Sequence, residues 1–426
     1  MSFPAKFALL FIVFLDLLGQ GLVFPIINAL IMEPSSSFLP STASDATRHL
    51  NYGLVIGVFF LLWFLGAPYI SKLSDVIGRK NAILICLFGA LAGYAITIVA
   101  LYQSSLWLLI LGRGITGFTA GNQPIAQAAM IDVSVDDADR ARNMGYIITG
   151  ISFGLVGGPI IGGFLSDPAF IGASASLTLP FYASLGLVMI GILLITVFFK
   201  DTDRKRQPFV FRATEVFELL WRISKYPIVL RLTAVFVFFH VTNITFYIFA
   251  DNYLTSRFGY GALGGSMVML TIGVALAFSS TFLVAPVQKR IDKKTILSAN
   301  FLVWALCTVA FIASPVAILC FIPVFIFYFV FGISYPTFLG LYSASVSDEE
   351  QGWIMGITTA VFTLIAGTMS LLGGDLMTYD IRSPFYIVIA AGILGALVLS
   401  VAWRRPEITR MTAIVSGGQE VTDQTK

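Results

Sequence analysis

The chain has 426 residues, of which 57% are hydrophobic and 12% charged, and its net charge is +3. So little polar surface cannot cover a soluble globule, which places the chain in a bilayer. The small basic excess does not point to nucleic acid, because the Lys and Arg residues concentrate where membrane topology requires them. The three cysteines, Cys86, Cys307 and Cys320, sit singly in apolar runs and predict neither a disulfide framework nor a metal site.

Apolar runs long enough to cross ~30 Å of hydrocarbon recur along nearly the whole chain. Between polar breaks they predict spans near 7–31, 52–70, 82–101, 106–131, 144–165, 179–199, 228–252, 263–287, 296–313, 316–343, 353–373 and 385–403. The alternating short segments of a membrane β-barrel are absent. The first run follows Lys6 alone and exceeds a signal-peptide core, so it reads as a retained span.

With both termini cytoplasmic, 21 of the 26 Lys and Arg fall inside: one before the first span, three after the second, two after the fourth, seven in the centre, four after the eighth and four in the tail. The outside loops carry Arg48, Arg257 and Arg382. The positive-inside rule then fixes the orientation. The outer loop from Met32 to Asn51 is polar and is assigned no role.

The longest polar break, Lys200 to Pro227, separates a six-span bundle at 1–199 from a second at 228–403, with a tail at 404–426. Within this 200–227 linker, Thr214 is a candidate N-cap for a short amphipathic helix in which Glu218 and Arg222 pair at i,i+4. The halves share Ser-Val at Ser134 and Ser345, Met-Gly at Met144 and Met355, and I-T-x-x-x-F-x-L-x-x-G from Ile148 and Ile357. Parallel six-helix repeats related by an axis along the membrane normal are the architecture of secondary transporters, which bind substrate near the midplane between the halves.

After the second span, "SKLSDVIGRKNAI" carries Asp75, Gly78, Arg79 and Lys80 in the spacing G-x-x-x-D-[RK]-x-G-R-[RK], with Ser71 and Val76 departing from it. The first span carries Asp16, Gly19, Gly21 and Pro25, and the fourth carries Arg113 and Gly117. The fifth carries G-x-x-x-G-P-x-x-G-G at Gly154, Gly158, Pro159, Gly162 and Gly163. On these motifs the whole chain resembles the major facilitator superfamily, and within it the drug:proton antiporters that include tetracycline efflux proteins. The fold implied is all-α, with twelve transmembrane helices in two pseudo-symmetric six-helix bundles.

The resemblance also implies roles. Gly150, Gly154 and Gly158 lie at i, i+4, i+8, where missing side chains let a helix approach closely, and Pro159 adds a kink. By resemblance this face packs on the eighth span across the interface between the halves. Asp75 is expected at the N-terminal end of the eleventh span and Arg79 is expected to pair with Asp132, forming with Gly78 and Lys80 a cytoplasmic gate. The matching loop of the second half, with Asp292 and Arg290, reads as a weaker latch.

Ionisable residues inside spans are costly and therefore functional candidates. Asp16 lies about ten residues into the first span, one turn from Gln20, and Arg113 enters the fourth from the other side. A carboxylate in a cavity that alternates sides can load and release a proton, so Asp16 is the first proton-coupling candidate and Arg113 its modulator. His240 reads either as a second proton site or as a packed helix residue, and Asp251 either as a cavity residue or as a solvated one at the outer end of the seventh span. Candidate substrate-cavity residues are Gln20, Asn122, Gln123, Gln127, Asn243, Phe246, Tyr247 and Tyr335, with Pro124 loosening the fourth span. Such a cavity suits an amphiphilic organic molecule.

The leading expectation is a monomeric proton-coupled efflux antiporter of a bacterial inner membrane. It would be powered by the proton gradient with no cofactor, its partners being a small-molecule substrate, protons and lipid. A proton-coupled importer of a metabolite or siderophore is the alternative, and a non-transporting receptor a third. With only two histidines and no phosphate-binding glycine loop, an enzyme is not indicated.

Overall fold

The computed structural model describes residues 3–34, 36–132, 137–201, 214–347 and 350–413, and all their regular elements are helical. Ser134 of the internal repeat, residues 202–213 of the central linker and the end of the tail lie outside the described residues. The twelve spans are, in order, Phe3–Met32, Asp45–Ile77, Arg79–Gln103, a two-piece fourth span Leu106–Phe118 and Asn122–Asp132, Asp137–Ser166, Leu179–Phe198, Pro227–Phe258, Ala262–Phe282, Lys293–Ala313, Ala317–Ser343, Gln351–Leu376 and Ser383–Ala402. Ten of these helices are individually long and apolar enough to cross a membrane. The other two crossings are the broken fourth span and the glycine-rich fifth.

Local chemistry sets the ends. Ser44, Ser105 and Asp292 cap the second, fourth and ninth spans, their side chains accepting from Thr47 N, Leu108 N and Thr295 N. Asp292, read from sequence as part of a second latch, is thus a helix cap. Gly78 turns the chain between the second and third spans at φ 96°, a conformation that favours glycine. A Cβ there would also lie 2.2 Å from Asp201 Oδ2. Large apolar side chains such as Leu193, Leu306 and Val401 are 60%, 69% and 64% exposed, as suits a surface facing lipid.

With an even number of crossings, the start of the first span, the end of the twelfth and the linker helix Glu215–Trp221 lie on one side, called here the linker side. The halves meet along a seam made by the first, second and fifth spans of one half and the seventh, eighth and eleventh of the other. On the far side this seam is tight. Tyr52 OH donates to Ile248 O at 2.8 Å, Asn28 Nδ2 to Thr255 Oγ1 at 2.7 Å, and Asn252 Nδ2 to Asn28 Oδ1 at 3.2 Å.

The glycine face of the fifth span corrects the sequence expectation. Added Cβ atoms at Gly150, Gly154 and Gly158 would lie 2.8, 2.6 and 2.4 Å from the carbonyl oxygens of Leu10, Phe14 and Leu18, and Gly162 faces Leu22. All four therefore pack on the first span, inside their own half. The physical reason is reciprocal smallness, since Gly21 of the first span receives the Pro159 ring, whose Cδ would stand 2.7 Å from a Cβ at that site. The eighth span is met by a different face, through Gly163 against Ser266 and through Leu155 O against Gly273.

Candidate functional site

The fourth span stops at Phe118 and restarts at Asn122, and the carboxylate of Asp16 sits on the restart. Asp16 Oδ2 accepts from the backbone N–H of Gln123 at 3.0 Å, and Oδ1 accepts from Asn122 Nδ2 at 3.0 Å. A restarted helix exposes N–H groups and a partial positive charge at its N-terminus, which favour a carboxylate there. Pro124 falls in the first turn of the second piece, where its missing N–H costs nothing.

Arg113 ends on the same small cavity of about 50 Å³, lined also by Gln20, Phe59, Trp63, Tyr94, Asn122 and Gln123. That volume holds one or two waters. The guanidinium of Arg113 lies 4.1 Å above the Phe59 ring, and its Nε meets no acceptor. Among the described residues Asp16 and Arg113 share a cavity without forming an ion pair with each other.

Among the described residues this cavity is lined by the first half alone, so the second-half candidates Asn243, Tyr247 and Tyr335 lie outside it. His240 is buried with neither ring nitrogen hydrogen-bonded, and its ring packs edge-on to Phe236 at 4.3 Å and against Phe362 at 5.2 Å and Tyr335 at 6.1 Å. Asn243, one turn on, has an unpartnered Oδ1. Tyr247 reaches across the seam to the edge of Phe24 at 5.0 Å. Gln127 is half-buried and does not line the cavity. Phe246 does not line it either, because it is fully buried and stacked on Phe327 at 4.3 Å in the core of the second half.

Asp251 meets neither of its two sequence readings, being buried instead of solvated and absent from the lining of the Asp16 cavity. Asp251 has no exposure, neither oxygen meets a donor in hydrogen-bonding geometry, and it faces Gly265, where a Cβ would lie 2.3 Å from Oδ1. It stands in the far-side seam, one residue from Asn252, away from the Asp16 cavity.

The motif loop after the second span is tied within its own half. Arg79 pairs with Asp75 at 2.8 Å and with Asp132 at 3.4 Å, and it also bonds Ser74. Lys80 N donates to Asp201 Oδ1 at 2.8 Å, and Lys80 Nζ to Thr196 O at 2.7 Å. Asp201, at the end of the sixth span, was missed by sequence reasoning because it has no motif spacing.

Among the described residues, Glu350 is the acidic group at the N-cap position of the eleventh span. Its Oε1 accepts from Arg222 Nη2 at 2.5 Å and from Tyr226 OH. These bonds, that from Tyr226 first, hold the Glu350 carboxyl below the ordinary glutamate range. The only advance signal was a glutamate just before an apolar run.

Two six-span halves meeting at a seam, with an aspartate on the break of one span and an arginine on the same cavity, have the build of a membrane transporter. The chain belongs to the Major Facilitator Superfamily, whose family model matches residues 9–368. It is 28% identical over 363 residues to the class C tetracycline resistance protein of Escherichia coli, covering 84% of this chain and 86% of that one. It is 23% identical over 406 residues to the quinolone resistance protein NorA of Staphylococcus aureus, covering 92% and 95%. Among solved structures it is similar in fold to the human organic anion transporter MFSD10, with a TM-score of 0.70 at 19% identity over 93% of this chain and 99% of that one. The D-xylose-proton symporter gives a TM-score of 0.73 at 13% identity over 95% and 99%.

Proposed function

We propose that the protein is a proton-coupled antiporter that exports a small amphiphilic organic compound by alternating access, with the linker side in the cytoplasm of a bacterial cell. The observation that carries this reading is the seat of Asp16 on the restarted fourth span. An ionised Asp16 anchors Asn122 and Gln123 and so holds the second piece of that span. A proton arriving on the carboxylate weakens both acceptors and frees that piece, so loading a proton changes the shape of the cavity that Arg113 also lines. The names of the relatives, resistance proteins for tetracycline and quinolone, support export over import. The distribution of Lys and Arg supports the cytoplasmic placement of the linker side. The energy source is the proton gradient, and the working unit is a monomer.

The test uses purified protein in liposomes with an acidic lumen, a pH-sensitive dye and amphiphilic compounds added outside. Proton release driven by inward movement of a compound, abolished in Asp16→Asn, is the expected result. Compound and proton moving in the same direction would make the protein a symporter and overturn the reading.

A further inference from the structure

Two buried side chains without hydrogen-bond partners, Trp63 and His240, lie against one aromatic ring, and a third, Arg113, shares a cavity with Trp63. Phe362 of the eleventh span packs edge-on to Trp63 of the second span at 5.9 Å and against His240 of the seventh at 5.2 Å. Phe60 closes a third side at 5.9 Å. The Trp63 Nε1 and both His240 ring nitrogens are buried with nothing to bond. Trp63 also contacts Phe59 at 5.8 Å, on which Arg113 lies with its Nε unpartnered, and Trp63 and Arg113 line the same 50 Å³ cavity.

Unpaired buried donors are rare in folded proteins because each costs its lost hydration, so a cluster of them calls for an absent partner. Here Trp63 and Arg113 can only donate, and a neutral imidazole donates from one nitrogen. On the edge made by Trp63 and Arg113 the missing groups are acceptors, while Asn122 Oδ1 on the same cavity is itself an unpartnered acceptor. The packing of Phe362 between an indole from one half and an imidazole from the other also indicates the shape of the missing partner, since a flat ring fills that slot well.

We propose that in the loaded transporter an aromatic ring of the substrate takes the place of Phe362 between Trp63 and His240, and that the compound is flat and carries hydrogen-bond acceptors on the edge facing Trp63 and Arg113. Phe362 is then the placeholder that closes the empty site. This inference rests on the transport reading above and narrows its substrate to planar, acceptor-bearing aromatics, setting apolar organic cations apart. No carboxylate other than Asp16 lines the cavity, and its two oxygens are already engaged by Asn122 and Gln123.

The test is binding of phenazine and of anthracene, which have the same outline but differ in ring-nitrogen acceptors, to the full chain in lipid nanodiscs. The wild type should bind phenazine more tightly than anthracene. Trp63→Phe, which keeps a ring and removes the N–H, should weaken phenazine about tenfold and leave anthracene unchanged. Phe362→Ala should tighten phenazine, because it removes the competitor for the slot. Equal loss of both compounds in Trp63→Phe, weaker phenazine binding in Phe362→Ala, or no preference in the wild type would each overturn the proposal. Dye-monitored antiport of any compound in liposomes separates the two levels. Antiport without the phenazine preference removes the clamp and keeps the transporter reading, whereas the preference without proton movement keeps the clamp and removes that reading.

Discussion

The two ends of the seam between the halves are closed by different materials. On the far side the spans themselves meet backbone to backbone: a Cβ on Gly53 would lie 2.4 Å from Ser370 O, and one on Gly374 would lie 2.8 Å from His49 O. On the linker side the gap between the second and eleventh spans is filled by the linker helix Glu215–Trp221, whose Val216 is buried in one cluster with Phe64 and Ala360, with Leu219 and Leu220 packed against it. One end is a fit between rigid backbones, which forms completely or not at all. The other is a set of apolar side chains on a short helix, which can leave without disturbing either half. A transporter that must open one side at a time needs both ends to part, and the difference indicates which end parts more readily from this state.

The largest effect is expected at the far side. Gly53→Leu inserts a side chain where a carbonyl oxygen already stands, so the far-side seam cannot close and transport is lost while the protein still inserts and purifies. The check is liposome flux, together with far-side reactivity of a cysteine placed at Ser370, which should rise at least tenfold. Gly158→Leu makes the contrast sharper. Its clash is with Leu18 O inside the first half, so it should lower the yield and thermal stability of the protein, with a cost of several kcal/mol. If Gly158→Leu stays fully stable and loses only transport, the fifth span works as a gate and the distinction between packing and sealing glycines fails.

A smaller effect is expected at the linker helix. Leu219→Asp removes an apolar contact, the Leu219 Cδ1 that would stand 3.5 Å from a Cβ on Gly356, and costs on the order of 2 kcal/mol of docking. Transport should persist, and a cysteine replacing Ala360, a position 3% exposed, should react several-fold faster with a linker-side thiol reagent. The three native cysteines are buried and can be left in place if a control without the new one stays silent. Unchanged reactivity would mean that the spans close the linker side unaided.

The apolar runs and the central polar break gave away the span order in the sequence, because crossing a bilayer imposes a length and composition that few residues can disguise. Asp16 and Arg113 stood out because charge inside a span is expensive. The partners of these groups were not legible. The break at Thr119–Gly121 lies in a stretch whose residues are each tolerable in a membrane helix, and only the folded chain brings Asp16 onto it. The facing of the fifth-span glycines was misjudged because spacing tells which residues share a face but not which neighbour that face meets. Phe246 and Tyr247 are adjacent aromatics in the sequence, and which of them reaches the seam depends on a rotation of about 100° that composition does not encode.

The smallest effect is expected where the linker is tied to the eleventh span. Glu350 accepts from Tyr226 and Arg222, and Arg222 also lies 4.4 Å above the Trp353 ring, so the turn after the linker helix is held at the helix end by one carboxylate. Because these bonds lower the carboxyl below its unfolded range, their contribution is fully present above that range, near pH 4.3, and is lost as pH falls through the folded value. Tyr226→Phe removes the first of the two donors and keeps the ring that packs on Trp353 at 4.8 Å. The melting temperature at pH 7 should therefore fall by on the order of 1 °C, as suits a part-buried, solvent-screened pair, and the difference from wild type should narrow in acid once Glu350 is protonated in both proteins. A difference that persists unchanged at pH 3 would place the effect in the bond that the Tyr226 hydroxyl accepts from Arg222 Nη2 at 3.2 Å, and the tie would then not depend on Glu350, leaving the easily parted end of the seam insensitive to pH.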